Sequence, residues 1–211
     1  MAGGAARHEL SGSLVIIFLD TEFTDLVNEP RLLSIAMVGA GGVDREFYAE
    51  VTDRQRIHAA SWFALDVVLP QFGRVAHAAC SYATLGARLN VFIARLVASL
   101  EPGERIDVAF SDDLDWQLAK RAMREGGAGQ PALAEHVLHP RNVYAIAGFG
   151  AGKRASDAYF AAQSDAPIAR HHCLCDARAL RIAYQAAMDQ HDARAPARGQ
   201  VAAHTLPFKL R

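Results

Sequence analysis

The sequence predicts an α/β fold, and three observations lead to this prediction. Three β-like runs lie close together in the first quarter of the chain, at 14–19, 32–38 and 46–51, and indicate an antiparallel meander. Apolar residues then recur at spacings of three and four in later stretches, which is typical of amphipathic helices. Two more β-like runs, at 106–110 and 142–146, alternate with these helices. Strands followed by alternating helices and strands favour a sheet covered by helices.

Composition and charge limit the kind of protein this can be. The chain has 211 residues, of which 51% are hydrophobic and 21% charged, as in a globular domain with a sizeable core. The net charge is −1, so a polyanion would have to meet a local patch or a metal site rather than a general basic field. The cysteines Cys80, Cys173 and Cys175 are too few and too poorly spaced for a disulfide framework, which favours a reducing compartment.

One domain is expected, from residue 14 to residue 190. Residues 1–13 are small and polar and are expected to be flexible, and the Ala-, Arg- and Pro-rich tail 191–211 is expected to be loosely held. The apolar run after residue 13 is too short to span a membrane, and no signal-peptide pattern precedes it. We therefore expect a cytoplasmic protein without a membrane partner.

The first β-like run carries the clearest chemical signal. Leu14 to Leu19 are apolar and include three β-branched residues, which predicts a strand buried on both faces. Asp20 and Glu22 follow, and side chains two apart in a strand point to the same face. Two neighbouring carboxylates repel each other and lose hydration, and a divalent cation such as Mg²⁺ or Mn²⁺ would offset both costs. The alternative is an ordinary strand end with two solvated acids.

Two further strands and a short helix are predicted next. Leu32–Val38 is apolar, and the glycines after it favour a hairpin turn. Glu46–Val51 alternates between apolar and polar residues, which predicts a half-exposed strand near the sheet edge. Ser61–Leu69 has the pattern of a short helix, and Pro70 is expected to end it.

An acidic residue faces inward on a later helix. The sequence predicts a helix at Tyr82–Leu100, a fourth strand at Ile106–Phe110 and a further helix from SDDLDW onwards. Asp115 precedes four apolar residues at spacings of three, four, seven and eight: Leu118, Ala119, Ala122 and Met123. It therefore lies on the apolar face, in the first turn. Capping of the helix is the alternative, although Asp112 and Asp113 are better placed for that role.

The stretch after this helix is less informative. Residues 126–140 are poorly specified, and Asn142–Ile146 is the fifth predicted strand. The run GFGAGKR at 148–154 invites a phosphate-loop interpretation, but it lacks one required glycine and has Arg154 where Ser or Thr is needed. Lys153 and Arg154 are therefore interpreted as solvated surface charges, with phosphate contact as the alternative.

The last predicted helix follows the sequence HHCLCDARAL. Asp176 precedes apolar residues at helical spacing and lies on their inward face, as Asp115 does in the earlier helix. His171 and His172 come before it, on a loop or in a frayed first turn. Half of a zinc site is the alternative for HHCLC, with His136 and His139 as the candidate ligands elsewhere in the chain.

These motifs together resemble the DEDDh-type 3′–5′ exonucleases of the ribonuclease H-like superfamily, most of all its small bacterial exoribonucleases. The shared order is D-x-E at a strand end, an inward Asp, and then H-x-x-x-x-D. Here these positions are Asp20 and Glu22, then Asp115, then His171 and Asp176. The chain departs from many relatives in having SDDLDW where they have HNxxFD.

The resemblance implies a fold, a cofactor and a mechanism. The fold would be ribonuclease H-like, with a mixed five-stranded sheet of three antiparallel and then two parallel strands, flanked by helices. Two Mg²⁺ or Mn²⁺ ions would act together on the scissile phosphate. Asp20 would be shared by both ions, Glu22 and Asp176 would complete the first site, and Asp115 would hold the second. His171 would be the general base.

The resemblance also implies a substrate. We expect removal of nucleotides, one at a time, from the 3′ end of single-stranded RNA. Phe23 and Thr21 are expected to contact the terminal nucleotide, with core packing as the alternative for Phe23. A DNA-directed 3′–5′ exonuclease, a metal-dependent phosphatase or endonuclease, and a non-catalytic nucleic-acid-binding module are the alternative functions. A homodimer is a further expectation, because relatives often pair.

Overall fold

A mixed β-sheet lies at the centre of the computed structural model. The structure describes residues 14–26, 29–40, 45–126, 137–143, 149–163 and 165–194. Within these residues the strands are β1 (Leu14–Phe23), β2 (Leu32–Gly39), β3 (Glu46–Val51), β4 (Ala79–Cys80), β5 (Arg105–Phe110) and β6 (Leu138–Asn142). They lie in the order β4-β3-β2-β1-β5-β6. β2 pairs antiparallel with both β1 and β3, and the other neighbours are parallel.

Helices cover both faces of this sheet. They are α1 (Arg54–Ile57), α2 (Tyr82–Ala98), α3 (Asp113–Glu125), α4 (Phe149–Ala162) and α5 (Cys173–Arg194). Ile17 and Leu19 of β1 pack in one cluster with α2 and α3, whereas Phe18 packs with Leu180 of α5. Because neighbouring strand residues point to opposite faces, these contacts place α2 and α3 on one face and α5 on the other.

The structure confirms an α/β fold with antiparallel and parallel pairs, but the predicted number of strands was wrong. The described sheet has six strands rather than five, because β4 adds to the edge beside β3. Only two residues form β4, so no alternating pattern could reveal it.

The predicted half-exposed character of β3 was also wrong, although its bounds are confirmed. Tyr48 packs against the first turns of α5, and Glu50 is only 2% exposed. Glu50 accepts hydrogen bonds from the Tyr48 hydroxyl at 2.8 Å and from the Gly73 backbone N–H at 2.8 Å. Its buried charge is thus hydrogen-bonded, as a buried carboxylate requires.

The fifth predicted strand was misplaced. The strand is β6, at Leu138–Asn142, so it begins four residues before the predicted start and does not include Val143; residues 144–146 lie outside the described residues. Pro140 made this stretch look unlike a strand, but an edge strand tolerates proline on its unpaired side. Residues 149–154 of the glycine-rich run lie in α4 instead of a phosphate loop, and Gly148 lies outside the described residues.

The short helix predicted after β3 does not end at Pro70. A π-helical turn, Ala64–Val68, continues into a 3₁₀ turn, Leu69–Gln71. Proline fits the first positions of a helical turn, because no backbone N–H is needed there.

The two predicted boundary regions fall largely outside the described residues. Helix α5 continues to Arg194, three residues beyond the expected start of the loose tail, and 195–211 are not described. His136, a candidate ligand for the zinc alternative, also lies outside the described residues. None of the described helices has the length and apolar character needed to cross a membrane.

Candidate active site

The end of β1 brings two carboxylates under the first turn of α5. Phe18 packs on Leu180, so Asp20 and Glu22, two and four residues further along β1, point to the same α5-covered face. Asp176 lies in the first turn of α5. Asp20 and Asp176 line one cleft of about 400 Å³. The sequence prediction of a shared face for these residues is therefore matched by the geometry.

Asp115 reaches the same strand end from α3. Asp112 is the N-cap of this helix, and its carboxylate accepts a hydrogen bond from the Leu114 N–H at 2.8 Å. One oxygen of Asp115, Oδ2, accepts from the Asp112 N–H at 3.3 Å, which is the capping role. The other oxygen, Oδ1, accepts from both the backbone N–H and the hydroxyl of Thr21, at 3.2 and 2.7 Å. Capping thus accounts for one oxygen, and the other ties α3 to β1 between Asp20 and Glu22.

Neighbouring carboxylates raise the pKa of both acids at the end of β1. For Asp20, burial is the main cause of a strongly raised pKa, and the charges of Asp115, Asp176 and Glu22 raise it further. Burial, followed by the charges of Asp176 and Asp115, raises the pKa of Glu22 to about 9. Such mutual repulsion requires the four groups to lie near one another. The structure therefore brings all four predicted acidic residues into one region.

The two carboxylates on the helices have smaller shifts because hydrogen bonds stabilise their charged forms. Burial raises the pKa of Asp115 to about 6, while the Thr21 hydroxyl lowers it. Burial raises the pKa of Asp176 to about 7, while the backbone N–H of His171 lowers it. All four acids are thus held in an environment that disfavours their full ionisation.

His171 lies directly beside the cluster. Its backbone N–H donates to Asp176 Oδ2 at 3.0 Å, and its φ of 67° is in the left-handed region that few non-glycine residues adopt. Burial and the Arg170 charge lower the pKa of its imidazole. Ligand-type atoms of Glu22, His171 and Asp176 all lie within 4.8 Å of one another. These three side chains are therefore close enough together to contact one metal ion. Asp20 and Asp115 do not belong to this group of three.

His172 occupies a different environment. It is 0% exposed, its ring packs at a tilt against the Tyr48 ring at 4.6 Å between centroids, and neither ring nitrogen has a hydrogen-bond partner among the described residues. Burial lowers its pKa to about 4. The two adjacent histidines thus point to different places, and only His171 contacts the carboxylate cluster.

The cleft has a partly basic and partly aromatic wall. Lys153 on α4 lines it and pairs with Asp157 at 2.6 Å. Arg170 lies over the Phe160 ring, 5.2 Å from its centroid, and both residues line the same cleft. Arg154, the neighbour of Lys153, is exposed. Lys153 and Arg154 were both interpreted as solvated surface charges. Lys153 instead lines the same cleft as Asp20 and Asp176.

The two residues of β1 that were predicted to contact the substrate, Thr21 and Phe23, contact other parts of the protein. Thr21 is buried, and its hydroxyl is occupied by Asp115. Phe23 packs against the core on the α2–α3 face, the alternative considered for it. Its contact with a nucleotide stays a prediction.

Two adjacent exposed aromatic residues, one of which contacts His171, were missed. Trp62 is 73% exposed and Phe63 is 38% exposed, and the Phe63 ring meets the His171 ring edge-on at 5.1 Å between centroids. The sequence assigned both residues to a short amphipathic helix, in which aromatic side chains usually pack inward. Adjacent aromatic residues at the start of such a short segment were the available signal.

The donor set fits a divalent cation. Asp176 Oδ1 is buried and has no hydrogen-bond partner in the part of the chain that the structure describes, and it belongs to a group of four carboxylates with raised pKa values. A hard cation such as Mg²⁺ or Mn²⁺ prefers carboxylate oxygens and would remove the repulsion among them.

Comparison of the sequence with known proteins does not assign it to a family. No model of a protein family matches the sequence, and no curated protein matches it.

Proposed function

We propose that this protein is a metal-dependent 3′–5′ exonuclease that shortens single-stranded RNA by hydrolysis of its terminal phosphodiester. The observation that carries the proposal is the meeting of four inward carboxylates, from three separate stretches of the chain, beside one histidine. Two of these acids end the central strand, and the other two begin the helices α3 and α5. This combination suits binding of divalent cations and hydrolysis of a phosphate ester.

A ribonuclease H-like fold is part of the proposal. The pairing of β3-β2-β1 is antiparallel and that of β1-β5-β6 is parallel, which agrees with the sheet expected for such a fold. The two-residue β4 only extends one edge. The acids lie at the carboxyl ends of β1 and β5, where open α/β sheets place their sites.

The acidic residues would hold the cations. Asp20, Glu22, Asp115 and Asp176 offer carboxylate oxygens, and Thr21 orients Asp115 through its hydroxyl. When bound, the cations would neutralise the negative charge that develops on the phosphate oxygens during hydrolysis. The residues themselves fix where the phosphate can lie, because each carboxylate is held by the backbone of a strand or a helical turn.

His171 is the proposed general base. Burial and the Arg170 charge lower the pKa of its imidazole, which favours the neutral form whose ring nitrogen can accept a proton from the attacking water. The hydrogen bond from its backbone to Asp176 places it at the edge of the cluster. His172 is unsuited to this role, since its ring is fully buried against Tyr48.

The surroundings of the cluster favour a single-stranded end. Nucleobases stack on aromatic rings; Phe63 exposes such a ring beside His171, and the exposed Trp62 lies against Phe63. Lys153 and Arg170 supply positive charge at the cleft, whereas the whole protein has a net charge of −1. This favours contact with a few phosphates of single-stranded RNA over binding of a long duplex. The choice of RNA over DNA rests on the family resemblance.

A short RNA labelled at its 5′ end provides the test. In Mn²⁺ the wild-type protein should produce a ladder that descends one nucleotide at a time, and the Asp176→Asn variant or excess chelator should abolish it. Internal cleavage of an RNA blocked at its 3′ end would contradict the exonuclease assignment. Faster degradation of the DNA strand of the same sequence would replace RNA by DNA as the substrate.

A further inference from the structure

The loop that presents His171 is held from outside by one buried glutamine. Gln71, at the end of the 3₁₀ turn, is only 8% exposed. Its side-chain amide donates to the carbonyls of Arg170 at 2.9 Å and Val67 at 3.2 Å. Its side-chain oxygen accepts from the Ala169 N–H at 2.9 Å. One side chain thus fixes the two residues that precede His171.

The segment that carries Gln71 is itself anchored to the sheet. The Ser61 N–H donates to the Thr24 carbonyl at 2.7 Å, next to the end of β1, and the Gly73 N–H donates to the buried Glu50. We call residues 61–74 the anchoring segment. Arg74, at its exposed end, donates to the Pro167 carbonyl and so adds a second tie to the loop.

The anchoring segment also contacts the ring of His171. Phe63 meets the imidazole edge-on, and Gln71 holds the backbone of the two residues before it. His171 has a left-handed backbone, which costs free energy for a residue with a Cβ and persists only when neighbouring contacts hold it. Without the Gln71 hydrogen bonds, the loop would keep the His171–Asp176 hydrogen bond but would lose two of the contacts that compensate this strain.

We propose that Gln71 is the positioning residue for the His171 imidazole. Two of its hydrogen bonds, to Ala169 and Arg170, hold the backbone that precedes His171 against the anchoring segment, and this holds the ring between Phe63 and the carboxylate cluster. The proposal rests on the proposed function for its kinetic consequence, because only a base must be held at a fixed position relative to the reacting water. Its structural consequence is independent of that function.

The kinetic test uses Gln71→Met, which keeps the side-chain volume and removes all three hydrogen bonds. We expect kcat on the RNA substrate to fall ~10- to 100-fold with KM changed by less than about threefold, because a small misplacement of a catalytic group slows the chemical step. In the His171→Ala background, the same substitution should cause almost no further loss. Gln185→Met is the matched control, since Gln185 is exposed and donates a hydrogen bond to Asp189 within α5.

If the double variant loses as much kcat as the product of the two single losses, the proposal is overturned, because Gln71 would then act on stability rather than through His171. Arg74→Met is the second variant if Gln71→Met fails to fold, since Arg74 lies on the surface. It should reduce kcat about two- to fivefold, and again only when His171 is present. An equal loss of kcat with and without His171 would contradict the proposal that the anchoring segment acts through His171.

A structural measurement separates this proposal from the proposed function. In NMR spectra of the wild-type protein, the Phe63 and His171 rings should show a nuclear Overhauser contact, and the Ala169 amide should exchange slowly with solvent. Gln71→Met should lose the contact and speed this exchange at least tenfold, whereas Gln185→Met should change neither. An unchanged ring contact in Gln71→Met would overturn the positioning role, whether or not the protein degrades RNA.

Discussion

Replacing Glu22 with glutamine should stabilise the metal-free protein at pH 8 and abolish its metal-dependent activity. The physical reason is that the carboxylate of Glu22 is buried beside Asp176 and Asp115, which raises its pKa to about 9. Glutamine has nearly the same shape and no charge, so it removes the repulsion while leaving the packing in place. A residue kept for stability alone would give the opposite result.

The size of this effect follows from the pKa of Glu22. The ordinary value is 4.5, so the folded state holds the proton more tightly than the unfolded chain does. This contribution to stability is fully present below pH 4.5 and is lost as the pH rises through about 9. At about 1.4 kcal/mol for each pH unit the whole difference would be about 6 kcal/mol. Because Glu22 is partly accessible to solvent and salt screens its repulsion, we expect about 2 kcal/mol at pH 8.

Urea denaturation in excess chelator measures this difference. Glu22→Gln should be more stable than the wild-type protein at pH 8, and the two should be nearly equal at pH 5. Saturating Mn²⁺ should reverse the order at pH 8, because a ligand that binds the folded state stabilises it. Glu101→Gln, which changes an exposed glutamate, is the matched control. A wild-type protein as stable as Glu22→Gln at pH 8 without metal would refute the reasoning.

Three further predictions concern the neighbours of Glu22. His171→Ala should lower the single-turnover rate on RNA by ~10²–10⁴-fold while calorimetry still shows Mn²⁺ binding, and a near-normal rate would exclude it as the base. Thr21→Val removes the donor to Asp115 and should cost about 1–2 kcal/mol in urea denaturation, whereas Thr52→Val, at an exposed hydrogen bond, should cost much less. Affinity for Mn²⁺ should fall at least tenfold between pH 8 and pH 5.5, because protons compete for Asp176 below its pKa of about 7; an affinity independent of pH would argue against carboxylate ligands.

The sequence revealed the parts of the fold whose local pattern is strong. Glu46–Val51 has the bounds predicted for it, and the N-cap of α3 is Asp112, one of the two residues predicted to be better placed for capping than Asp115. The inward position of Asp115 followed from the apolar residues after it, and the structure agrees. These features depend on residues within one or two turns of each other, which a sequence shows directly.

The features that were missed depend on distant parts of the chain. Gln71 bonds Ala169, 98 residues away, and nothing near Gln71 in the sequence indicates that partner. Glu50 looked like a solvent-facing residue because the alternation of β3 does not show that α5 covers its second face. Pro140 made β6 look unlike a strand, since its tolerance there depends on an edge position that only the completed sheet defines.

Crystals soaked with Mn²⁺ and a nucleoside 5′-monophosphate would test the central claim most directly. Anomalous scattering at the manganese edge should show two peaks bounded by Asp20, Glu22, Asp115 and Asp176, with the phosphate of the nucleotide against them. In crystals of Asp20→Asn, at least one of these peaks should be absent. Well-ordered nucleotide without manganese at these four carboxylates, or manganese bound only elsewhere on the protein, would contradict the proposed metal-dependent hydrolysis.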